Sequence, residues 1–516
     1  MSIEIINIDN KKSLLSRRWK LYDFDERNTI YFSQKHNLKY IVAKLLSIRS
    51  VDKDYIESFL SPNINNDIPN PAKLKDIEKA TSRVIQAIEK KERIGIIADY
   101  DVDGSTSASI LFKFLKNFTS SIILKIPNRL VDGYGPNIKL MKEMLDNKVD
   151  LLLTLDCGTT SNEIIDNKEF KNIDVIVIDH HLSEINLPNV LAIINPNRSD
   201  DTSDYKQLAA VGVTFLFLMF LRKKLREINK FNEIKEPNLL SYLDLVALGT
   251  VCDVVELKRY NRLFVKKGLE LIHKRYHRGI AKLIDNSKIA SSPNSQDLGF
   301  VVGPQINAAS RIDDSSLASK LLISNDIEQI ESISRKLFLL NEKRKLIESQ
   351  ILDDANNQAA NQTNTNFILV FGNNWHQGVL GIIASKIKDI YYKPTIVISF
   401  SNNIGIGSAR SIDNVDLGKI ILNAKSEKLL ISGGGHSMAA GLKINFSNME
   451  NFKIYLEKSL SLYSKNLFNR IDYFDSVISV NDLNLDLING IEQLQPFGKG
   501  NPEPVFILKD VIIDSI

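Results

Sequence analysis

IGIIADYDVDGSTSASIL, residues 94–111, decides the fold. Ile94 to Ala98 form a short apolar run of the kind that builds a buried strand. Asp99, Asp101 and Asp103 follow at alternate positions, then Gly104 and small hydroxyl residues that suit the start of a helix. Three carboxylates where a buried strand ends repel one another unless something positive sits among them. The same rhythm continues outward through SIILKI (121–126), DLLLTLD (150–156), DVIVIDHH (174–181) and VLAIIN (190–195). Apolar runs of this length, separated by helix-sized spacers, predict βαβ units and an α/β fold with a parallel sheet. In such sheets ligands bind at the carboxyl ends of the strands.

The 516 residues suffice for several domains. Residues 1–75 read as an N-terminal extension and 76–325 as the main α/β domain. Ile330, Ile333, Leu337, Leu340, Ile347 and Ile351 keep a helical apolar spacing broken at Arg344, which predicts a long connector helix. The polar run NNQAANQTNTN (356–366) marks the expected boundary, so connector and linker span 326–366. A second alternating region (367–465), with FILVF, TIVISF, IGIGSAR and SGGGHSMAAG, predicts a smaller α/β domain. Residues 466–516 are turn-rich and strand-like.

A net charge of +4 permits an anionic partner without arguing for one, so any basic surface must be local. Two cysteines, Cys157 and Cys252, exclude a disulfide framework and fit a reducing, cytoplasmic setting. The N-terminus carries no secretory pattern. The apolar run Leu208–Leu221 is too short to span a bilayer and reads as a core helix, so no membrane association is expected.

Acids and histidines recur where the apolar runs stop: Asp101 and Asp103, then Asp156, then Asp179, His180 and His181. A parallel sheet brings these ends to one edge. Asp253, in ALGTVCDVVEL, sits in an apolar helical pattern where a bare carboxylate is costly. Taken alone, Asp99 reads equally well as a solvated strand-end residue. Carboxylates with imidazole form a hard ligand set suited to Mn²⁺ or Mg²⁺. More acids than one ion needs suggest two ions, an arrangement suited to phosphoester hydrolysis.

DYDVDG (99–104), LTLDCGTTS (153–161), VIDHH (177–181) and GTVCDVVEL (249–257) resemble the four phosphoesterase motifs of the DHH family. In order they resemble the RecJ single-strand-specific exonucleases. PNRLVDGYGPN (127–137), GPQINAASRID (303–313), HQGVLGIIASKI (376–387), GSARS (407–411), SGGGHSMAAG (432–441) and PFGKGNPEPVF (496–506) extend the resemblance nearly end to end. It implies a DHH domain, a DHHA1 nucleic-acid-binding domain and an OB-like domain starting near residue 470, although the roughly 46 residues from there are few for a five-stranded barrel.

By the same resemblance, Asp101 and Asp156 hold one ion. Asp103, His180 and Asp253 hold the other, Asp156 bridges the two, and His181 faces the scissile phosphate. Arg129, Arg311, Ser408 and Arg410 contact substrate phosphate, with Ser408, Arg410 and Arg129 forming a stop for a terminal phosphate. Gly433, Gly434, Gly435 and His436 form a strand-binding loop. The sequence departs from the family at Ile97, where some DHH proteins carry histidine, and at Gln305, where arginine is usual.

The implied activity is two-metal, 5′-to-3′ exonucleolysis of single-stranded DNA to mononucleotides by a monomer. Its implied setting is recombination and repair, beside a single-strand-binding protein and a helicase. The rival reading is a DHH phosphodiesterase acting on short oligonucleotides or cyclic dinucleotides. Such proteins lack the long connector helix and the PFGKGNPEP segment.

Overall fold

The computed structural model describes residues 13, 17–183, 186–289, 292–362, 364–509 and 511–512. The first residues of the expected N-terminal extension, 1–12 and 14–16, and the end of the OB-like segment, 513–516, lie outside the described residues.

A five-stranded, all-parallel sheet forms the centre of the larger unit. Its spatial order is Ile122–Lys125, Ile94–Ala98, Leu151–Leu155, Asp174–Ile178, Ala192–Ile194. The first strand in sequence lies between the second and the third, so the winding direction reverses beside Ile94–Ala98. A crevice opens at such a reversal, on the carboxyl ends of the two strands that flank it.

Alternation along each strand divides the core. Ile94, Ile96, Ala98, Leu151, Leu153 and Leu155 pack with the helices Ile77–Glu89, Val102–Leu115 and Ala210–Glu227. Ile97, Leu152, Val175 and Val177 pack the other way, with Leu140, Met141 and Met144 of Ile138–Asp146. Both faces are covered, which explains why these strands read as unbroken apolar runs. The run Leu208–Leu221 lies in and just before Ala210–Glu227, buried in this core. No helix among the described residues is long and apolar enough to cross a membrane.

The chain does not divide along linear boundaries. The larger compact unit comprises 24–341 and 480–504; the smaller comprises 1–23, 342–479 and 505–516. Most of the expected N-terminal extension therefore belongs with the parallel sheet. PFGKGNPEP does too. The seam predicted from Ile330 onward is the helix Ile327–Ala360, with 34 residues and a length of about 51 Å. The division between the two compact units falls inside this helix. Ile330, Ile333, Leu337 and Leu340 bury in the larger unit's core, and Ile351, Ala355 and Ala359 in the smaller unit's. Arg344, which interrupts the seam, pairs with Glu348 at 2.6 Å.

The smaller unit holds a mixed five-stranded sheet in the order Ser432–His436, Ala439–Asn445, Ile404–Arg410, Thr395–Ser401, Ile368–Asn373. Only the last pair is parallel. Two short parallel pairs, Arg18–Leu21 with Ile471–Phe474 and Ser476–Ile478 with Phe506–Leu508, accompany it.

Candidate metal and strand-binding sites

The acidic residues gather at the reversal of the winding. Asp101 caps the helix Val102–Leu115, accepting from Gly104 N at 3.0 Å. A side chain on Gly104 would place its Cβ 2.3 Å from the Asp99 carbonyl oxygen, so this tight strand-to-helix turn needs glycine. Asp103, in the first turn, accepts from Ala210 N at 2.7 Å and Val211 N at 2.9 Å, which fixes its carboxylate against the start of Ala210–Glu227. Asp156 follows Leu151–Leu155 in the left-handed region, φ +58°, an unusual conformation for a non-glycine residue and one that recurs at functional sites. Asp253 caps the C-terminus of Leu243–Cys252.

His180 binds these elements together. Its Nε2 lies 3.4 Å from Asp156 Oδ1, 3.5 Å from Asp253 Oδ2 and 3.9 Å from Asp103 Oδ2. Three groups of candidate ligands result, each with its atoms within 4.8 Å of one another: Asp99, Asp101 and Asp156; Asp103, His180 and Asp253; and Asp156, His180 and His181. Asp156 belongs to two of them. The residues assigned to metal by sequence therefore converge, and the structure adds Asp99, which is 4 % exposed rather than solvated. Ile97, at the position where histidine occurs in some relatives, points into the apolar core with Leu140 and Met141. Asp99 supplies the acid on that side.

The donor set fits a divalent pair. Asp99 Oδ1, Asp156 Oδ1, Asp253 Oδ2 and His180 Nε2 are buried and make no hydrogen bond, a costly state for polar atoms that face one another. Burial first, then mutual repulsion, pushes the acids upward: Asp99 and Asp156 well above the carboxylate range, Asp103 to about 7, Asp253 to about 9. Burial, with the neighbouring His181, lowers His180 to about 4 and so keeps it a neutral ligand. Cations among these atoms remove both penalties.

His181 is held for a different task. Burial opposes its charge, but the 2.8 Å hydrogen bond from Nδ1 to Asp179 raises it to about 9. Asp179 also accepts from the backbone N–H groups of Thr159, His180 and His181, which position the whole turn. Tyr134, from the 127–137 segment, donates to the Asp156 carbonyl oxygen at 2.8 Å and meets His181 Nδ1 at 3.1 Å. With Nδ1–H committed, His181 keeps Nε2–H to offer. Arg129 stacks over the Tyr100 ring at 4.9 Å, and Arg311 acts on the same phenol through space. Gln305 is buried, donating to Ser287 Oγ at 2.7 Å, and plays no part in this cluster.

Lys499 is a residue that sequence reading missed. Its carbonyl oxygen accepts from Leu257 N at 2.7 Å, and its exposed ammonium acts on Asp253 through space. Nothing in the local pattern of PFGKGNPEP marks it, because the segment's place is set by contacts more than two hundred residues away. Phe497, in the same segment, is buried.

In the smaller unit, Ser408 and Arg410 lie on Ile404–Arg410, where Arg410 Nη1 donates to Ser408 Oγ at 3.2 Å. Both side chains crowd Gly381: a Cβ there would meet Arg410 Nη2 at 2.9 Å and Ser408 Oγ at 3.1 Å. Gly433, Gly434, Gly435 and His436 form a strand, Ser432–His436, and not the expected loop, because they pair in register with Ala439–Asn445. Gly434 lies across from Gly441, which lies across from Ser408, and neither glycine's Cβ direction meets an atom within 4 Å. The result is a strip of bare backbone beside Ser408. His436 at its end is exposed.

Family models match three stretches: the DHH family N-terminal domain over 93–250, the DHHA1 domain over 364–461 and the RecJ OB domain over 474–516. The single-stranded-DNA-specific exonuclease RecJ of Haemophilus influenzae is 35 % identical over 458 residues, covering 86 % of this chain and 80 % of that one. The structure of RecJ in complex with Mn²⁺ from Thermus thermophilus superposes with a TM-score of 0.81 at 26 % identity, covering 95 % of this chain and 69 % of that one. RecJ in complex with Mg²⁺ from the same organism gives 0.75 at 25 % identity, covering 95 % and 67 %. With this identity sustained over four fifths of a relative's length, the chain belongs to the RecJ family of DHH proteins.

Proposed function

We propose that the chain is a divalent-metal-dependent exonuclease that hydrolyses single-stranded DNA from the 5′ end, releases 5′-mononucleotides and serves recombination and repair in the cytoplasm. The observation that carries this reading is the convergence of Asp99, Asp101, Asp103, Asp156, His180 and Asp253, with buried ligand atoms unpaired, at the reversal of the parallel sheet. Asp101 and Asp156, joined by Asp99, would hold one Mn²⁺ or Mg²⁺; Asp103, His180 and Asp253 the other; Asp156 would bridge. When bound, the pair polarises a phosphoryl oxygen, lowers the pKa of water and neutralises developing charge.

The chain's own groups orient the strand. His181, oriented by the hydrogen bond from Nδ1 to Asp179, turns Nε2 toward a phosphate oxygen. Tyr134 locks the Asp156 carbonyl and the His181 ring in one arrangement. Arg129 and Arg311 add guanidinium donors on the Tyr100 side. In the smaller unit, the bare backbone at Gly434 and Gly441 accepts close approach of a strand, with Arg410 and Ser408 offering donors to phosphate. A single-strand-binding protein and a helicase are the expected partners, and a monomer the expected state.

Digestion of end-labelled single and double strands with Mn²⁺, Mg²⁺ or EDTA tests the reading. Metal-dependent loss of a 5′ label as mononucleotide, from single strands only, is expected. Release of 3′ label first, or preference for a dinucleotide over a long strand, refutes it.

A further inference from the structure

The two helices that carry acidic ligands to the cluster end elsewhere at a site of opposite charge. Val102–Leu115 places Asp103 in its first turn and Lys113 in its last, about 15 Å apart along the helix axis. Leu243–Cys252 packs against it with the opposite sense: its C-cap is Asp253, and its first turn follows Ser241 and Tyr242, which lie with Lys113. There a pocket of about 390 Å³ has Lys113, Ser241, Tyr242, Tyr276, His277 and Arg278 among its lining residues. That volume falls within the range of small-ligand sites.

Two cations enter this pocket, and among the described residues neither Lys113 nor Arg278 has an ion-pair or side-chain hydrogen-bond partner. Lys113 is not a freely solvated surface lysine, since burial lowers its ammonium below the ordinary value. Asp244, fully buried and with Oδ2 unpaired, acts on it through space and makes no ion pair with it among the described residues. Arg278 opens the helix Arg278–Asn286, whose N-terminal partial charge adds to the positive field. His277 caps that helix, accepting from Ile280 N through Nδ1 and meeting the Leu322 carbonyl oxygen through Nε2 at 2.9 Å. That ring is therefore fixed in place and neutral. Tyr242 and Tyr276 line the pocket, and Tyr276 is 61 % exposed.

We propose that this pocket is a second ligand site, which takes the phosphate group of a nucleotide between Lys113 and Arg278 and its sugar and base against Tyr242 and Tyr276. The chemistry required is a compact anion joined to a flat aromatic group. Paired ammonium and guanidinium donors suit the first, and tyrosine rings the second. The site shares no residue with the acidic cluster, and the proposal does not depend on how that cluster is read.

Calorimetric titration of the full chain in EDTA, with dAMP, inorganic phosphate and deoxyadenosine, tests it. One saturable dAMP site is expected, competed by inorganic phosphate and not by deoxyadenosine at the same concentration. Lys113→Met and Arg278→Gln should each weaken dAMP at least tenfold, while Asp156→Ala leaves it unchanged. Arg278 is exposed, so its variant carries the test if Lys113→Met fails to fold. The proposal is overturned by absence of saturable binding, by parent-like affinity in Arg278→Gln, by equal competition from deoxyadenosine, or by loss of binding in Asp156→Ala.

Discussion

Arg262→Met should loosen the C-terminal segment from the larger unit and so reach the acidic cluster indirectly. Arg262 is 0 % exposed, and no carboxylate among the described residues pairs with it. Its guanidinium donates instead to four carbonyl oxygens: Phe59 at 2.8 Å, Leu494 at 3.0 Å, Gln495 at 2.6 Å and Pro496 at 3.4 Å. The Phe59 ring lies beneath it at 3.7 Å. Burial lowers it to about 10, still charged at neutral pH. One side chain thus joins an N-terminal helix, its own helix Arg259–His273 and the segment that carries Lys499.

The magnitude follows from which acceptors lose their donor. Asn501 Nδ2 also donates to Leu494 and Pro496, so those oxygens keep a partner in Arg262→Met. The Phe59 and Gln495 oxygens do not retain this donor. Leaving a buried acceptor unsatisfied costs about 1–3 kcal/mol each, and removing a buried cation returns part of its desolvation penalty. The net loss should be about 3 kcal/mol, seen as a fall in urea midpoint at unchanged slope. Limited proteolysis should cut first within 494–504. Arg262→Lys keeps charge but cannot span acceptors on two segments, and should recover less than half of the loss. A variant as stable as the parent and equally protected at 494–504 would refute this account of the segment's docking.

Asp156→Ala should abolish hydrolysis and invert the effect of metal on stability. In EDTA it melts above the parent, because a buried carboxylate has left a like-charged cluster; in excess Mn²⁺ it melts below, and equal melting in both conditions speaks against a shared ligand. Lys499→Gln should weaken single-strand binding and reduce the slope of log K against log salt by roughly 0.7, the share of one phosphate contact; an unchanged slope removes Lys499 from the strand path. Arg410→Ala should cost 5′-phosphorylated strands about ten- to a hundredfold more than 5′-hydroxyl strands in kcat/KM, and equal losses place the terminal-phosphate stop elsewhere. His277, neutral and lowered to about 4 by burial, binds fewer protons folded than unfolded between pH 6.5 and 4. Its contribution is therefore complete above pH 6.5 and declines by about 3 kcal/mol as pH falls to 4. His277→Asn should flatten that part of the stability profile, and an unchanged profile refutes the assignment.

The parallel sheet and the acidic cluster were legible because both rest on local periodicity. An apolar run that stops at an acid states its own place: inside until the last residue, then at the carboxyl edge. Repetition of that pattern at Asp101, Asp156 and His180 makes convergence a consequence of topology. Asp99 needed the structure, because at a strand end one residue's exposure depends on what packs beyond the sheet. The glycine run was harder again. A turn and a strand edge both accept SGGGH, and only pairing with Ala439–Asn445 decides between them.

Least legible were the long-range attachments. Arg262 sits in RYNRLFVKKGLELIH, where a helical arginine reads as solvated, and its acceptors are backbone oxygens that no side-chain pattern announces. PFGKGNPEP likewise reads as a loop in whichever domain precedes it. Its attachment to the larger unit is made by Arg49 on Asn501 and Pro502, Ser295 on the Phe497 oxygen, and Arg262. Side chains drawn from three distant stretches meet main-chain groups of a fourth, so identity at any one position carries little of the information. The consequence for Lys499 is direct: the residue nearest in effect to Asp253 from outside the sheet domain's own sequence is held there by backbone capture. Its position should therefore survive substitution of its own side chain and fail on loss of Arg262.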